Sequence, residues 1–170
     1  DVANKGPWIA TVANSSHGGL VANPVSFADA GSAPAELQDL PGIAGTGPAF
    51  QSDLEGPVFS ASETDPTNFE GCNAWAGSPF TGGILLVSRG SCNFSAKVDN
   101  AVAAGAIGVV VFNNISGAPI VMGALEGTTV PSVMITNAGG LAAAVGTSGM
   151  DLYRGAVGFD ADRRPGRLQA

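Results

Sequence analysis

Residues 82–112 have the sequence GGILLVSRGSCNFSAKVDNAVAAGAIGVVVF, and this run carries the clearest structural pattern in the chain. Its apolar segment Ile84-Leu85-Leu86-Val87 has the length of a strand and predicts one that is covered on both faces. After an Arg89-Gly90 turn, apolar residues at spacings of three and four predict a helix that ends at Gly105. Ile107 to Phe112 predicts a second buried strand. The run therefore predicts a β-α-β unit with a right-handed crossover.

Further strands and a short helix are predicted on both sides of this unit. Val130 to Ile135 is apolar, and its proline belongs at the start of a strand or on a sheet edge. Residues 25–27 suit an edge strand or a loop in a segment rich in Gly, Pro and Asp. Asn137 can cap a short helix that runs through Val145 and ends at Gly146. Leu152 to Phe159 predicts a last strand.

The composition predicts one globular domain without a membrane-spanning segment. The chain has 170 residues, of which 45% are hydrophobic and 12% charged, so it can bury a sizeable core. Gly, Asn or Ser interrupts every apolar run before it reaches the roughly 18 residues that cross a bilayer, and no membrane partner is predicted. The chain begins at Asp1, which suggests a processed piece of a longer protein.

The charge distribution argues against nucleic acid as a partner. The formal net charge is −7, and eight acidic residues lie between Asp29 and Glu70 with no Lys or Arg among them. Such an acidic body repels phosphate backbones. Basic residues gather near the C-terminus, where Pro165-Gly166 favours a solvated tail or linker over residues 161–170.

Lysine is scarce and Ser, Thr and Asn are abundant, which is typical of an extracellular surface and predicts a secreted protein. Cys72 and Cys92 lie twenty positions apart. They form either one disulfide or two buried thiols, and an oxidising compartment favours the disulfide. Two cysteines and one distant histidine are too few ligands for a zinc site.

Residues 72–145 resemble the protease-associated (PA) domain. Single motifs of this set are weak, but together they follow the order and spacing of the family. They are Gly82 to Val87, Arg89-Gly90-Ser91-Cys92-Asn93-Phe94, Lys97-Val98, Asn100-Ala101, Ala103 to Ala106, Asn113-Asn114 and Val130 to Ile135.

A second resemblance lies upstream. Residues 6–17 resemble the strand that follows the oxyanion-hole region of subtilisin-like serine proteases, in which a PA domain is often inserted shortly afterwards. The resemblance implies a flanking scaffold segment over residues 1–23, a PA domain over residues 24–160 and a linker or tail over residues 161–170. The chain would then be an insert of a larger secreted protease.

The PA resemblance also implies a fold and a site. The fold is α/β of the swivelling ββα type, in which two β-layers form an open barrel or sandwich and two or so helices pack on one side. The implied peptide-binding residues are those of one loop, Arg89, Gly90, Ser91, Cys92, Asn93 and Phe94. No cofactor is predicted.

Arg89 has two interpretations. It is either a surface arginine that packs its stem and bonds local carbonyls, or a ligand-binding fork for a peptide carbonyl or carboxylate. The loop precedes the predicted helix, whose free N–H groups favour an anionic or carbonyl ligand. Asn93 or Ser95 can cap that helix.

Catalytic and metal-binding groups are not predicted. Gly146-Thr147-Ser148 resembles the start of a serine-protease nucleophile motif, but the residues that should follow are missing, so Ser148 is interpreted as a loop residue. The sole histidine, His17, lacks a histidine motif around it. The acidic residues Glu63, Asp65 and Glu70 have oxygen ligands for calcium, but they lack EF-hand spacing.

Three functions follow from these observations. The leading hypothesis is a noncatalytic module that recognises a polypeptide substrate or controls access to the cleft of a subtilisin-like catalytic domain. It would use loops at 65–80, 89–94 and 114–129, or main-chain pairing with a sheet edge. The alternatives are a PA domain of a receptor or zinc aminopeptidase that binds protein cargo, and a structural or dimerisation spacer.

Overall fold

The computed structural model describes residues 23–28, 37–146 and 154–157. Seven strands and three α-helices lie within these ranges, and a short 3-10 helix spans Pro66–Asn68. The strands are β1 (Asn23–Ala28), β2 (Leu40–Ala44), β3 (Leu54–Ser60), β4 (Ile84–Ser88), β5 (Gly108–Phe112), β6 (Ser132–Ile135) and β7 (Arg154–Val157). The helices are α1 (Ala61–Thr64), α2 (Phe94–Ala103) and α3 (Asn137–Gly146). The tail predicted at residues 161–170 lies outside the described residues, as does the flanking segment predicted at residues 1–23 except for Asn23, which begins β1.

The strands form a ring in the order β1-β2-β6-β5-β4-β3-β7, which closes because β7 pairs with both β3 and β1. Neighbours from β3 through β4 and β5 to β6 are parallel. The pairs that involve β1, β2 or β7 are antiparallel. The predicted α/β class, with strands curled into a barrel and helices packed against it, is confirmed. The ring is closed where an open barrel was expected.

The parallel strands are apolar because both of their faces are covered. β4 and β6 are buried at every position. Successive side chains of β4 point to opposite faces, so Ile84 and Leu86 join one apolar cluster while Leu85 and Val87 join another. The first cluster includes residues of β1, such as Val25 and Phe27; the second includes residues of α2, such as Val98 and Ala101.

Helix α2 begins and ends close to where the sequence predicts. Gly105 has a φ of +91°, and a Cβ there would lie 2.9 Å from Cα of Thr81. Glycine is therefore required both by backbone conformation and by space. Asn93 occupies the N-cap position, but its side chain makes no capping hydrogen bond. Ser95 lies inside the first turn.

Two local predictions were wrong. β1 is not an edge strand, since it pairs with β2 on one side and with β7 on the other. The cap of α3 is Thr136, whose Oγ1 accepts a hydrogen bond from Gly139 N at 3.2 Å. The predicted cap, Asn137, donates through Nδ2 to the carbonyl oxygen of Asn113 at 2.8 Å instead. Both asparagine and threonine suit a cap chemically, so the sequence alone did not distinguish them.

Two further features complete the fold. Pro131 lies directly before β6, as predicted, and its carbonyl oxygen accepts from Val109 N at 3.2 Å. Within the ranges that the structure describes, no helix is long and apolar enough to cross a membrane.

Candidate functional site

The predicted binding residues lie where the parallel part of the barrel ends. The loop of residues 89–93 joins the carboxyl end of β4 to α2, and a second loop, residues 113–131, follows the neighbouring strand β5. Ser88 and Phe112 are register partners, so the two loops leave the sheet side by side. Loops at the carboxyl ends of parallel strands are the usual position of ligand sites in α/β sheets.

Arg89 is half-buried and is held at both its backbone and its side chain. Its N–H donates to the carbonyl oxygen of Phe112 at 2.8 Å. Its Nη1 donates to Oδ1 of the buried Asn113 at 3.0 Å. Asn113 in turn donates through Nδ2 to Ala118 O at 3.4 Å. The guanidinium is therefore oriented by one local hydrogen bond, and its ligand-binding role stays a prediction.

All six predicted loop residues line one hollow of about 350 Å³, which we call the Arg89 hollow. Ser95, Gly123 and Ala124 complete its lining. The hollow lies at the N-terminus of α2, where Asn93 leaves the first-turn N–H groups without a side-chain cap. The structure thus brings together an oriented guanidinium and a helix N-terminus, which both favour carbonyl or carboxylate oxygens.

Glu70 holds the loop from outside. Its Oε2 accepts hydrogen bonds from Ser91 N at 2.8 Å and from Ser91 Oγ at 2.7 Å. These bonds, the backbone one above all, hold the pKa of Glu70 below its ordinary value of 4.5. A Cβ on Gly90 would lie 2.0 Å from Cδ of Glu70, so the carboxylate reaches Ser91 only because residue 90 is glycine.

This role of Glu70 was not predicted from the sequence, where Glu70 was a candidate calcium ligand only. The signal that pointed to it was its position two residues before Cys72. A bridge from Cys72 to Cys92 brings Glu70 beside the loop of residues 89–93.

Lys97 holds the same segment from inside. It is fully buried, and its Nζ donates to the carbonyl oxygen of Glu70 and lies 3.9 Å from Sγ of Cys72. Burial lowers the pKa of Lys97, and the charge of Glu70 opposes that shift. One turn further along α2, Asn100 Nδ2 donates to Gly71 O at 3.0 Å. Helix α2 therefore fixes residues 70 and 71, and Glu70 fixes Ser91.

A disulfide closes this set of contacts. Cys72 and Cys92 are bonded, with their Cα atoms 5.7 Å apart. The predicted bridge is present, and it joins the segment that Lys97 holds to the loop that carries Arg89.

The other sequence candidates have local roles or lie outside the described residues. Asp65 Oδ1 accepts from Thr67 N at 2.9 Å and from Thr67 Oγ1 at 2.7 Å. It caps the 3-10 helix, and the bond to the Thr67 hydroxyl leads the lowering of its pKa. No group of three or more His, Cys, Asp or Glu side chains in the described part of the chain could hold a metal ion. His17 and Ser148 fall outside that part.

The PA domain family matches residues 54–143, which run from β3 into α3 and include the whole Arg89 loop. This is more than half of the chain. The chain belongs to the PA domain family. The match contains the four parallel strands, whereas β1, β2 and β7 lie outside it.

Individual relatives of this PA domain carry different names. An aminopeptidase of Pseudomonas aeruginosa (strain UCBPP-PA14) is 51% identical over 59 residues, which are 34% of this chain and 11% of that protein. The minor extracellular protease Vpr of Bacillus subtilis is 43% identical over 60 residues, 35% of this chain and 7% of that protein. The chain therefore matches only a small part of these relatives.

A solved structure agrees in fold. The zinc aminopeptidase BSAP of Bacillus subtilis superposes with a TM-score of 0.55 and 24% sequence identity. The superposition covers 81% of this chain and 31% of that one. It therefore extends beyond the family match.

Proposed function

We propose that this PA domain is a noncatalytic module of a secreted peptidase and that it recognises polypeptide through the Arg89 hollow. The observation that supports the proposal best is the convergence of all six implied residues on one hollow at the N-terminus of α2. The disulfide, Glu70 and Lys97 fix that loop before a ligand arrives. Preorganisation of this kind reduces the entropy that binding would otherwise cost.

The binding chemistry follows from the donors of the site. Arg89 uses Nη1 on Asn113, and the guanidinium carries further N–H groups in a fixed plane that suit a peptide carbonyl or a C-terminal carboxylate. The first-turn N–H groups of α2 favour the same oxygens. Main-chain oxygens occur in every polypeptide, so this part of the site is tolerant of sequence.

Main-chain pairing with a sheet edge, the second binding mode predicted from the sequence, does not fit the fold. Each of the seven described strands has a neighbour on both sides, because β7 closes the ring. A closed ring offers no row of unpaired N–H and C=O groups to an added strand. The loops at the carboxyl ends of β4 and β5 are therefore the proposed binding surface.

We further propose that the partner of this module is a catalytic domain of the same protein. The named relatives support a peptidase, and one of them is called extracellular. The matches to aminopeptidases favour a zinc aminopeptidase parent, whereas the resemblance of residues 6–17 favours a subtilisin-like one.

A peptide-library binding screen tests the proposal, with the wild-type domain beside Arg89→Ala and Arg89→Lys. Wild type should retain peptides. Arg89→Ala should weaken their binding about tenfold or more, since it removes charge-assisted bonds worth roughly 1.5–3 kcal/mol. Arg89→Lys should recover part of the loss, because an ammonium keeps the charge and lacks the fork.

The matched control is Val121→Ala, which changes an exposed side chain outside the Arg89 hollow. It should bind as wild type does. Equal binding by wild type and Arg89→Ala would contradict the proposed site, provided that both melt at the same temperature.

A further inference from the structure

A second hollow of about 310 Å³ lies beside the Arg89 hollow, and we call it the Phe69 hollow. Ser91 lines both of them. Cys92 lines the first and its disulfide partner Cys72 lines the second, so the bridge and Ser91 form the divide. The remaining lining residues of the Phe69 hollow are Thr67, Asn68, Phe69, Glu70 and Asn73.

The two hollows have opposite charge. The Arg89 hollow is lined by a guanidinium and a helix N-terminus. The charged side chain in the lining of the Phe69 hollow is Glu70, a carboxylate at neutral pH whose pKa lies below its ordinary value of 4.5. The ammonium of Lys97 faces the carbonyl oxygen of Glu70 and is fully buried. Lys97 therefore bonds to the backbone of Glu70 and not to its carboxylate, although the charge of Lys97 contributes to the lowered pKa of that carboxylate.

Phe69 and Glu70 present the two groups that recognise organic cations. Phe69 is a large apolar side chain that is 46% exposed, and an aromatic face attracts an ammonium or guanidinium. Glu70 uses Oε2 for Ser91. Within the described residues Oε1 has no hydrogen-bond partner, so one carboxylate oxygen remains for a ligand.

Two other polar side chains of the hollow are already engaged. Asn68 donates through Nδ2 to Asn73 O at 2.8 Å and accepts Asn73 N on Oδ1 at 3.0 Å. Thr67 donates its hydroxyl to Asp65. One carboxylate oxygen of Glu70 and the side-chain oxygen of Asn73 are too few ligands for calcium, which takes six to eight oxygens. The Glu70 oxygen and the Phe69 ring therefore suit a single organic cation better than a metal ion.

We propose that the Phe69 hollow binds a Lys or Arg side chain of the polypeptide whose main-chain or terminal oxygens occupy the Arg89 hollow. The cation would lie against the ring of Phe69 and bond to Oε1 of Glu70. This inference rests on the proposed function, and it adds a sequence preference to a site that otherwise accepts any main chain. Opposite charges in adjacent hollows would also fix the direction in which the polypeptide lies.

The first test uses small probes that need no peptide site. N-acetyl-arginine methylamide is titrated into the intact domain, and the backbone amides of Phe69, Glu70, Asn73 and Ser91 are followed by NMR. N-acetyl-citrulline methylamide, which has the same shape without the charge, is the matched probe. The arginine probe should shift these amides in a saturable way, while the citrulline probe should leave them in place. Equal shifts with both probes would overturn the cation site.

The second test uses matched peptides from the library screen, identical except for Arg or citrulline at one position. The variants are Glu70→Gln, whose amide oxygen can still accept from Ser91, and Phe69→Leu, which keeps an apolar side chain without the ring. Wild type should prefer the Arg peptide about fivefold, as expected of exposed ion pairs and cation–π contacts. Each variant should bring the ratio of Arg-peptide to citrulline-peptide affinity towards one.

The outcomes separate this inference from the proposed function. Equal loss of both peptides in Glu70→Gln would make Glu70 a positioning residue for Ser91 alone and would overturn the cation site. Peptide binding without any preference for Lys or Arg would overturn it too, while the proposed function would stand. Absence of peptide binding together with a specific response to the arginine probe would overturn the proposed function and leave the cation site standing.

Discussion

The two loops that leave the barrel side by side are held in different ways. The loop of residues 89–93 is fixed by a disulfide and by the Glu70 carboxylate. The buried Lys97 in turn holds Glu70 by donating to its carbonyl oxygen. The loop of residues 113–131 is fixed mainly by apolar anchors, since Met122 and Leu125 are completely buried. Thr46 adds two hydrogen bonds, from its N to Met122 O at 2.9 Å and from Leu125 N to its Oγ1 at 3.2 Å.

Because the two loops are held by different contacts, these two walls of the Arg89 hollow should respond to different conditions. Reducing agents and acid act on covalent and charged contacts, so they should loosen residues 89–93 and spare the other wall. Loss of apolar volume should do the opposite. The second loop also exposes Ile115 and Val121, at 61% and 59%, which shows that its anchors hold only part of its length.

The largest expected effect comes from removing an anchor of the second loop. Leu125→Ala leaves a cavity at a fully buried site, and such changes cost about 4 kcal/mol of unfolding free energy. Urea denaturation measures the loss. Leu141→Ala is the matched control, because Leu141 is 50% exposed and should change stability by less than about 0.5 kcal/mol. Similar costs at the two positions would show that Leu125 is not an anchor.

Removing the disulfide should have the next largest effect. Cys72→Ala with Cys92→Ala opens a link between residues twenty positions apart, which costs about 3 kcal/mol in the chain-entropy description. The double variant should lose more free energy of peptide binding than free energy of unfolding, because Cys92 lines the hollow. Reduction of the wild type should give the same urea midpoint as the double variant. If the double variant were as stable as the oxidised wild type, the disulfide would not stabilise the first loop.

The smallest effect is the pH dependence of the Glu70 contact. The pKa of Glu70 is lowered in the folded state, so its stabilisation is complete above the unfolded pKa and is lost as pH falls through the lowered folded value. In an NMR titration below pH 4.5 the Ser91 amide should therefore shift. The amide of Thr128, which bonds to a carbonyl in the other loop, serves as the internal control. In Glu70→Gln the Ser91 shift should disappear; a Ser91 shift that persists there would have another source.

The parallel part of the barrel could be predicted from the sequence because burial on both faces leaves a continuous apolar run. Ile84 to Val87 and Ile107 to Phe112 have that pattern, and both became strands in the predicted place. The antiparallel part carries a weaker pattern. In β2 only Gly42 is buried, so no apolar period marks the strand. The ring closure through β7 depends on contacts between distant segments, which local patterns do not contain.

The candidate site could be predicted from the sequence only where its residues are contiguous. The loop of residues 89–94 is contiguous, so its motif could be recognised, and the structure assembles all six residues around one hollow. Glu70 and Lys97 lie 27 positions apart, so no local pattern marks their contact. The ligand roles of Arg89 and Phe69 stay predictions until the binding experiments are done.

The pairing of β1 with β7 has a consequence for how such a domain can be built into other proteins. Val25, near the start of the first described strand, is the register partner of Val157, the last residue of the final one. Paired strands lie about 5 Å apart, so the chain comes into the barrel and departs from it at neighbouring points on one side. A domain with that geometry can be inserted at a single surface turn of a host protein without displacing the segments on either side of that turn. The seam that closes the ring thus also brings the two outermost described strands together.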